Sequence, residues 1–355
     1  MTEYRGRRAF EISNGQLTVT VMREGGHIAR IVDHATGVNP LWTPPWPTIE
    51  PSTFVASRDT QYGTDSEAKL LSGLMGHNLC VDLFGAPTEA EAAAGMTVHG
   101  ESSVVPYECA ASEHELVLTA TFPQAAIAFE RRVGLRGNLI VITETAENLS
   151  ACDRPSAWTQ HVTLGPPFIE QGVTRILAPA TRSKVYETDF TEGIGKQEIG
   201  AVFDWPLCPR SGGGHIDLRT FEAANVSAGY TTHLMDPSRE QAFFLTYHPG
   251  IKLLFGYAWP RADFPWLGRW EENNARTSPP WNGHTVALGL EFGASPMPET
   301  RRAMIERGSL FGAPGYRWLP ARQKVTVRYC AFAQPAASMP GEVAWDGESG
   351  LRFSG

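Results

Sequence analysis

The chain has 355 residues, 42% hydrophobic and 19% charged, with a formal net charge of −8. That length allows two average domains or one large all-β domain, and the apolar fraction is enough for a sizeable core. The negative balance argues against nucleic acid or an anionic membrane as the main partner.

No run approaches the ~18 apolar residues of a membrane-spanning helix. The opening segment, Met1 to Ser13, lacks the apolar stretch of a signal peptide, so the expected compartment is the cytoplasm. The five cysteines, Cys80, Cys109, Cys152, Cys208 and Cys330, are scattered and odd in number, with no CxxC. Neither a disulfide framework nor a zinc site is expected.

In chain order, Gln16 to Met22 reads as a strand, followed by a turn at Gly25-Gly26 and a strand from His27 to Val32. The Pro-rich stretch Asn39 to Pro47, with Trp42 and Trp46, reads as a loop over a sheet edge or site rim. Thr88 to Ala94 reads as a short helix. From Gly95 to Glu101, Met96 and Val98 alternate with Thr97, His99 and Glu101, which predicts a strand-like run with His99 on a polar face. Strands are then predicted over Glu115 to Phe122, Ala125 to Val133, Leu139 to Ala146 and Trp158 to Leu164. In the last of these, Thr159, His161 and Thr163 share one face.

Further strands are expected over Gln241 to Tyr247, Lys252 to Trp259, Thr285 to Glu291 and Lys324 to Phe332, with a short helix over Pro298 to Gly308. The aromatic and acidic cluster Phe264 to Asn273, which holds Trp270 and Glu271, has two readings. One is a surface loop pinned by buried tryptophans. The other is a sugar platform, because a pyranose stacks its C–H face on indole while its hydroxyls want carboxylate and amide partners. Trp42 and Trp46 could serve in the same way.

In the run from Val286 to Glu291, Val286, Leu288 and Leu290 point into a core, whereas Ala287, Gly289 and Glu291 point the other way. The carboxylate thus stands on a face cleared of bulk. Together, Glu291, His161 and His99 suggest acid-base chemistry on a polar small molecule.

There is no βαβ alternation, heptad or fixed-period repeat, so an all-β sandwich is expected, as a single domain over residues 1–355 or as two stacked β-domains. No GxGxxG, P-loop, GxSxG or HExxH is present, and no metal or cofactor is expected.

These residues resemble the galactose mutarotase-like superfamily, and within it the aldose 1-epimerases. The resemblance lies in the Asn14-Gly15-Gln16-Leu17 to Gly25-Gly26-His27-Ile28 hairpin and the Thr36 to Trp42 turn. It continues in His99-Gly100, His161 and Gly289-Leu290-Glu291, in that order along the chain. The resemblance implies a β-supersandwich of antiparallel sheets with a small-molecule sugar in an open groove, and no cofactor. It implies Glu291 as the base taking the anomeric proton, His161 as the acid protonating the ring oxygen, and His99 as a hydrogen-bonding partner nearby. The acid and base are expected on opposite sides of the ring.

The family's sugar-binding arginine before the first histidine has no obvious counterpart. His77 and Asn78 are the candidates for that role, with Arg58 a weaker one. The resemblance leaves three functions open: an aldose epimerase, a carbohydrate-binding protein without turnover, and a sugar-phosphate epimerase or lyase at the same groove. The basic pairs Arg131-Arg132 and Arg301-Arg302 are each split across faces by their spacing, which argues against a phosphate site.

Overall fold

The computed structural model describes residues 1–191, 193–348 and 350–355. Two large antiparallel sheets pack face to face. The larger has twelve strands, in the order Thr2–Tyr4, Arg7–Ser13, Leu17–Met22, Ile28–Asp33, His77–Asp82, Arg154–Leu164, Val286–Gly293, Trp266–Asn273, Ser227–Met235, Ala180–Val185 and Val202–Asp204. The twelfth, Arg317–Leu319, pairs with the start of Arg154–Leu164. The smaller sheet has eight strands, in the order Arg175–Leu177, Gln241–His248, Leu253–Pro260, Lys324–Pro335, Leu139–Asn148, Ile127–Arg136, Glu115–Phe122 and Glu108–Ala111.

Burial explains the two patterns seen in the sequence. Ile127–Arg136 alternates buried and more exposed positions, as expected where one face is solvated. The central strands of the larger sheet, Val286–Gly293 among them, are buried nearly throughout because both faces are covered. One face meets the smaller sheet, where Trp158, Val162, Leu288, Leu290 and Phe292 join Phe129, Ile142, Phe255 and Tyr329 in the main core. Phe292 stacks on Trp259 with ring centroids 4.2 Å apart. Burying each such side chain stabilises the fold by about 1.5–3 kcal/mol. The other face carries a second cluster, in which Tyr230, Trp270 and Ala287 of the sheet meet Trp42, Trp46 and Trp281 from loops.

Two expectations change. The segment Gly95 to Glu101 is a turn rather than a strand. His99 and Gly100 both adopt positive φ, 67° and 78°. A Cβ at Gly100 would lie 2.7 Å from the Val81 carbonyl, so the turn is pressed against the sheet. The cluster Phe264 to Asn273 is no surface loop: Trp266–Asn273 is a central strand. Its charged residues obscured the strand pattern, and the structure satisfies them internally, Arg269 Nη2 donating to Glu271 Oε2 at 2.7 Å. Both predicted helices form, as Glu89–Ala93 with a Thr88/Glu91 capping box and Arg301–Arg307 capped by Thr300. None of the described helices is long and apolar enough to cross a membrane.

Candidate active site

Strand register builds the site. His161 pairs directly with Glu291 on one side and with Asn78 on the other, and Glu291 pairs with Gly268 on the next strand. Directly paired residues project from the same sheet face. Asn78, His161, Glu291 and Gly268 therefore form one row on the face opposite the main core. Two residues along the strands, on the same face, lies a second row of Thr163, Gly289 and Trp270.

Glu291 and His161 touch. His161 Nε2 lies 3.0 Å from Glu291 Oε1. The contact is not aligned as a hydrogen bond, and this buried oxygen has no other protein partner. A buried carboxylate oxygen without a donor is costly unless a ligand supplies one. His161 Nδ1 lies 3.1 Å from the Thr163 hydroxyl, which fixes the plane of the ring. The expectation of an acid and a base on opposite sides gives way to a contacting pair.

His99 arrives from the turn above, its ring centroid 4.8 Å from that of His161. Its Nδ1–H donates to the Phe84 carbonyl at 2.6 Å. In the neutral ring Nε2 is then an acceptor. The left-handed backbone at His99 is uncommon for a non-glycine residue and marks a conformation held by its surroundings.

Burial dominates the electrostatics. It raises the Glu291 carboxyl to about 8. It lowers His161 well below the usual imidazole value, helped by His99 nearby. His99 is lowered to about 4, again by burial first, against the Phe84 hydrogen bond that favours its charged form. In neutral solution the Glu291–His161 pair therefore holds a single proton, and His99 is uncharged.

The three side chains line a cavity of about 290 Å³, close to the lower end of small-molecule sites. Its walls are largely aromatic: Phe84, Tyr186, Phe190, Tyr230, Trp270 and Trp281. Trp281 stands edge-on to Trp270 at 5.9 Å, and Trp42 and Trp46 pack behind it at 6.1 and 5.1 Å. The Pro-rich loop thus buttresses the aromatic wall, and Trp42 and Trp46 are themselves buried.

Trp270 lines the cavity, as the platform reading expects. Asn78 lies in the His161 row beneath it, its amide Nδ2 donating to Ser103 Oγ at 3.3 Å and its Oδ1 unpartnered. His77 is on the opposite face, inside the sandwich. Its ring nitrogens lie 3.0 Å from the Tyr257 hydroxyl and 2.9 Å from Gln160 Oε1. Glu271 also faces away from the cavity, bound by Arg269 and by the Ser227 hydroxyl. His77 and Glu271 therefore cannot reach a ligand beside Glu291; alternation along each strand turns them away. Arg58 is an exposed partner of Asp59 outside the cavity.

The guanidinium that does line the cavity is Arg276, which sequence reasoning missed. It follows the Trp266–Asn273 strand, and Glu272 Oε1 accepts from the backbone N–H groups of Ala275 and Arg276 at 2.7 and 3.0 Å, fixing the turn. The guanidinium rests on Trp281, 4.7 Å from the ring centroid, and its Nη1 is 3.4 Å from Glu67 Oε2. The available signal was positional: the loop preceding the Glu291 strand must come back over the face that carries Glu291.

No family model and no curated protein matches this sequence. Solved structures do match in shape. A candidate aldose 1-epimerase from Klebsiella pneumoniae superposes with a TM-score of 0.64 at 15% identity, over 90% of this chain and 77% of that one. One from Escherichia coli K12 gives 0.62 at 12% identity, over 92% and 99%. A galactose mutarotase-like protein from Clostridium acetobutylicum gives 0.59 at 13%, over 93% and 96%. At such identities the likeness is one of architecture: the chain has the galactose mutarotase-like fold, a sandwich of antiparallel sheets.

Proposed function

We propose that the protein is an aldose 1-epimerase-type isomerase that interconverts the α and β anomers of a neutral aldose. The observation that carries this reading is the Glu291–His161 contact of 3.0 Å, with both side chains lining an aromatic-walled cavity. Anomer exchange needs one proton removed from the hydroxyl on C1 and one delivered to the ring oxygen. Both oxygens are bonded to the same carbon, so an acid and a base side by side match the separation that the chemistry requires.

The step balances within the pair. The pair's proton, which burial places on Glu291, first crosses the 3.0 Å contact to His161 Nε2, and the Glu291 carboxylate then takes the proton of the C1 hydroxyl. The C1–O1 bond becomes a carbonyl, and the electrons of the broken C1–ring oxygen bond take the His161 Nε2 proton. Rotation about C1–C2 presents the other carbonyl face, and the reverse transfers close the ring. The pair ends as it began. Neutral His99 offers Nε2 as an acceptor, so its partner is a sugar hydroxyl rather than the ring oxygen, which has no hydrogen to donate.

A phosphorylated substrate is less well supported. Arg131 is buried against Glu144, and Arg301 is bound to Asp82 and Glu91. Arg276 is offset by Glu67 and Glu272.

The test is polarimetry on freshly dissolved α-glucose, α-galactose, α-xylose and glucose 6-phosphate, with and without the protein. Faster equilibration of a neutral aldose is expected. If none equilibrates faster but sugars bind, the protein is a carbohydrate-binding protein without turnover. A preference for the phosphate ester would replace the neutral-sugar reading.

A further inference from the structure

A larger hollow lies on the same sheet, away from Glu291. Its volume is about 460 Å³, against about 290 Å³ for the cavity around Glu291, and the two share no lining residue. Leu234 lines it, four residues along the Ser227–Met235 strand from Tyr230 of the active cavity. Residues i and i+4 of a strand share a face and lie about 13 Å apart. The hollow therefore opens on the site face, at the strand ends. One wall is a hairpin in which Ser309–Leu310 pairs with Ala313–Pro314, and Trp266 Nε1 donates to the Pro314 carbonyl at 2.7 Å, tying the hairpin to the sheet. Leu234 and Ala294 are buried, whereas Phe311 and Tyr316 are half-buried and give the hollow open apolar sides.

On a chain of net charge −8, the charge lining this hollow is positive: Arg261 and Arg317 against Asp263 alone. Arg317 Nη2 donates to Asp263 Oδ1 at 2.8 Å, and Arg317 Nη1 has no acceptor in the protein. Arg261 Nε donates to the Arg239 carbonyl at 2.8 Å, and among the described residues Arg261 has no carboxylate partner. Asp236, on the adjoining turn, is taken by the Ser238 hydroxyl and backbone N–H at 2.7 and 2.9 Å and by Arg239 Nε at 3.6 Å. A guanidinium anchored through Nε keeps both Nη groups for an incoming anion, which phosphate and carboxylate oxygens can engage in pairs.

We propose that this hollow binds an organic anion with an apolar body, its phosphate or carboxylate held by Arg261 and Arg317 and its body against Leu234, Phe311 and Tyr316. The apolar sides offer the hydroxyls of a free sugar few partners, and the excess positive charge disfavours a cation. The volume suits a ligand larger than a bare inorganic anion. The site stands apart from the chemistry at Glu291 and holds whether or not that chemistry is epimerisation.

The test is calorimetric titration of the full chain with AMP and 2-naphthoate, which distinguish a phosphate from a carboxylate head. Uncharged adenosine and 2-naphthol, and inorganic phosphate, are titrated beside them. At least one of the two anions is expected to bind with a Kd below about 1 mM. It should bind about tenfold or more tighter than its uncharged counterpart and than inorganic phosphate. Arg261→Gln is expected to weaken that binding about tenfold, the loss of a charge-assisted contact. Ala262→Trp, at an exposed position on the rim, fills the hollow and is expected to abolish binding. Circular dichroism of both variants should stay native. The inference is overturned if neither anion binds, if the uncharged counterpart or inorganic phosphate binds as tightly, or if either folded variant binds like wild type.

Discussion

Gly289 leaves open the space that the Glu291 carboxylate occupies. A Cβ built at position 289 would lie 2.4 Å from Glu291 Oε1 and 3.1 Å from the Trp270 Cβ. The carboxylate folds back along its own strand over the residue two positions earlier, and only glycine permits this. Gly289→Ala should therefore leave the sheet intact but push Oε1 away from His161. A displacement near 1 Å in a reacting group costs about 10²-fold in rate, so kcat is expected to fall by that order while circular dichroism stays native. A Gly289→Ala protein with wild-type turnover would show that the carboxylate does not act from this position.

The paired protonation states set a pH profile. Glu291 is raised to about 8 by burial. As pH rises through that value the pair loses its single proton and no acid remains, so kcat should decline on an alkaline limb near pH 8. His161 is held well below the usual imidazole value, so a second proton is not taken up near pH 6.5. After subtraction of the uncatalysed rate, kcat should stay flat between about pH 6 and 7.5. A limb centred near 6.5 would mean that an ordinary, solvated histidine controls the rate.

The same shift has a consequence for stability. The folded value for Glu291 lies above its ordinary value of 4.5, at about 8. The fold is favoured with the carboxyl protonated, and this contribution is lost as pH rises from about 4.5 through 8. Glu291→Gln removes the titration. The variant should match wild type at pH 4 and be more stable at pH 8, by up to a few kcal/mol. Thermal unfolding across this range checks the sign; a variant that loses stability relative to wild type as pH rises would contradict it.

His77 belongs to a buried network rather than to the site. Gln160, which His77 contacts, also donates to Glu144 Oε2 at 2.6 Å, and Glu144 further accepts from Arg131, Trp158 and Tyr329. His77→Leu takes the imidazole partner from the Tyr257 hydroxyl, whereas Gln160 Oε1 still accepts from Tyr329 and Arg131. It should lower stability in urea by about 1–3 kcal/mol. Since the ring faces away from the cavity, KM for the sugar should change by no more than about twofold. A large rise in KM with unchanged stability would return His77 to the site.

Much of this was legible from the sequence because alternation is a local signal. Val286 to Glu291 divided correctly into a core face and a site face, and Trp158 to Leu164 placed His161 likewise. His77 and Glu271 show the limit of a motif read without its phase: each sits next to a residue in or beside the site, and a one-residue step turns the side chain to the other face. His99 was found although its strand was not, because its left-handed turn depends on contact with a distant strand at Val81. Arg276 was not legible, since a loop residue enters the cavity through tertiary packing on Trp281 and Glu67, which no local periodicity encodes.

In the proposed reaction, Glu291 and His161 pass a proton pair across C1 of a bound sugar. The most direct measurement is magnetisation exchange between the α and β anomeric protons of a sugar at equilibrium, with wild type and with Glu291→Gln at matched concentration and pH 7. Wild type should show enzyme-dependent exchange, and Glu291→Gln should lose it by about 10²-fold or more while still binding the sugar. Exchange that persists in Glu291→Gln at the wild-type rate would contradict the claim.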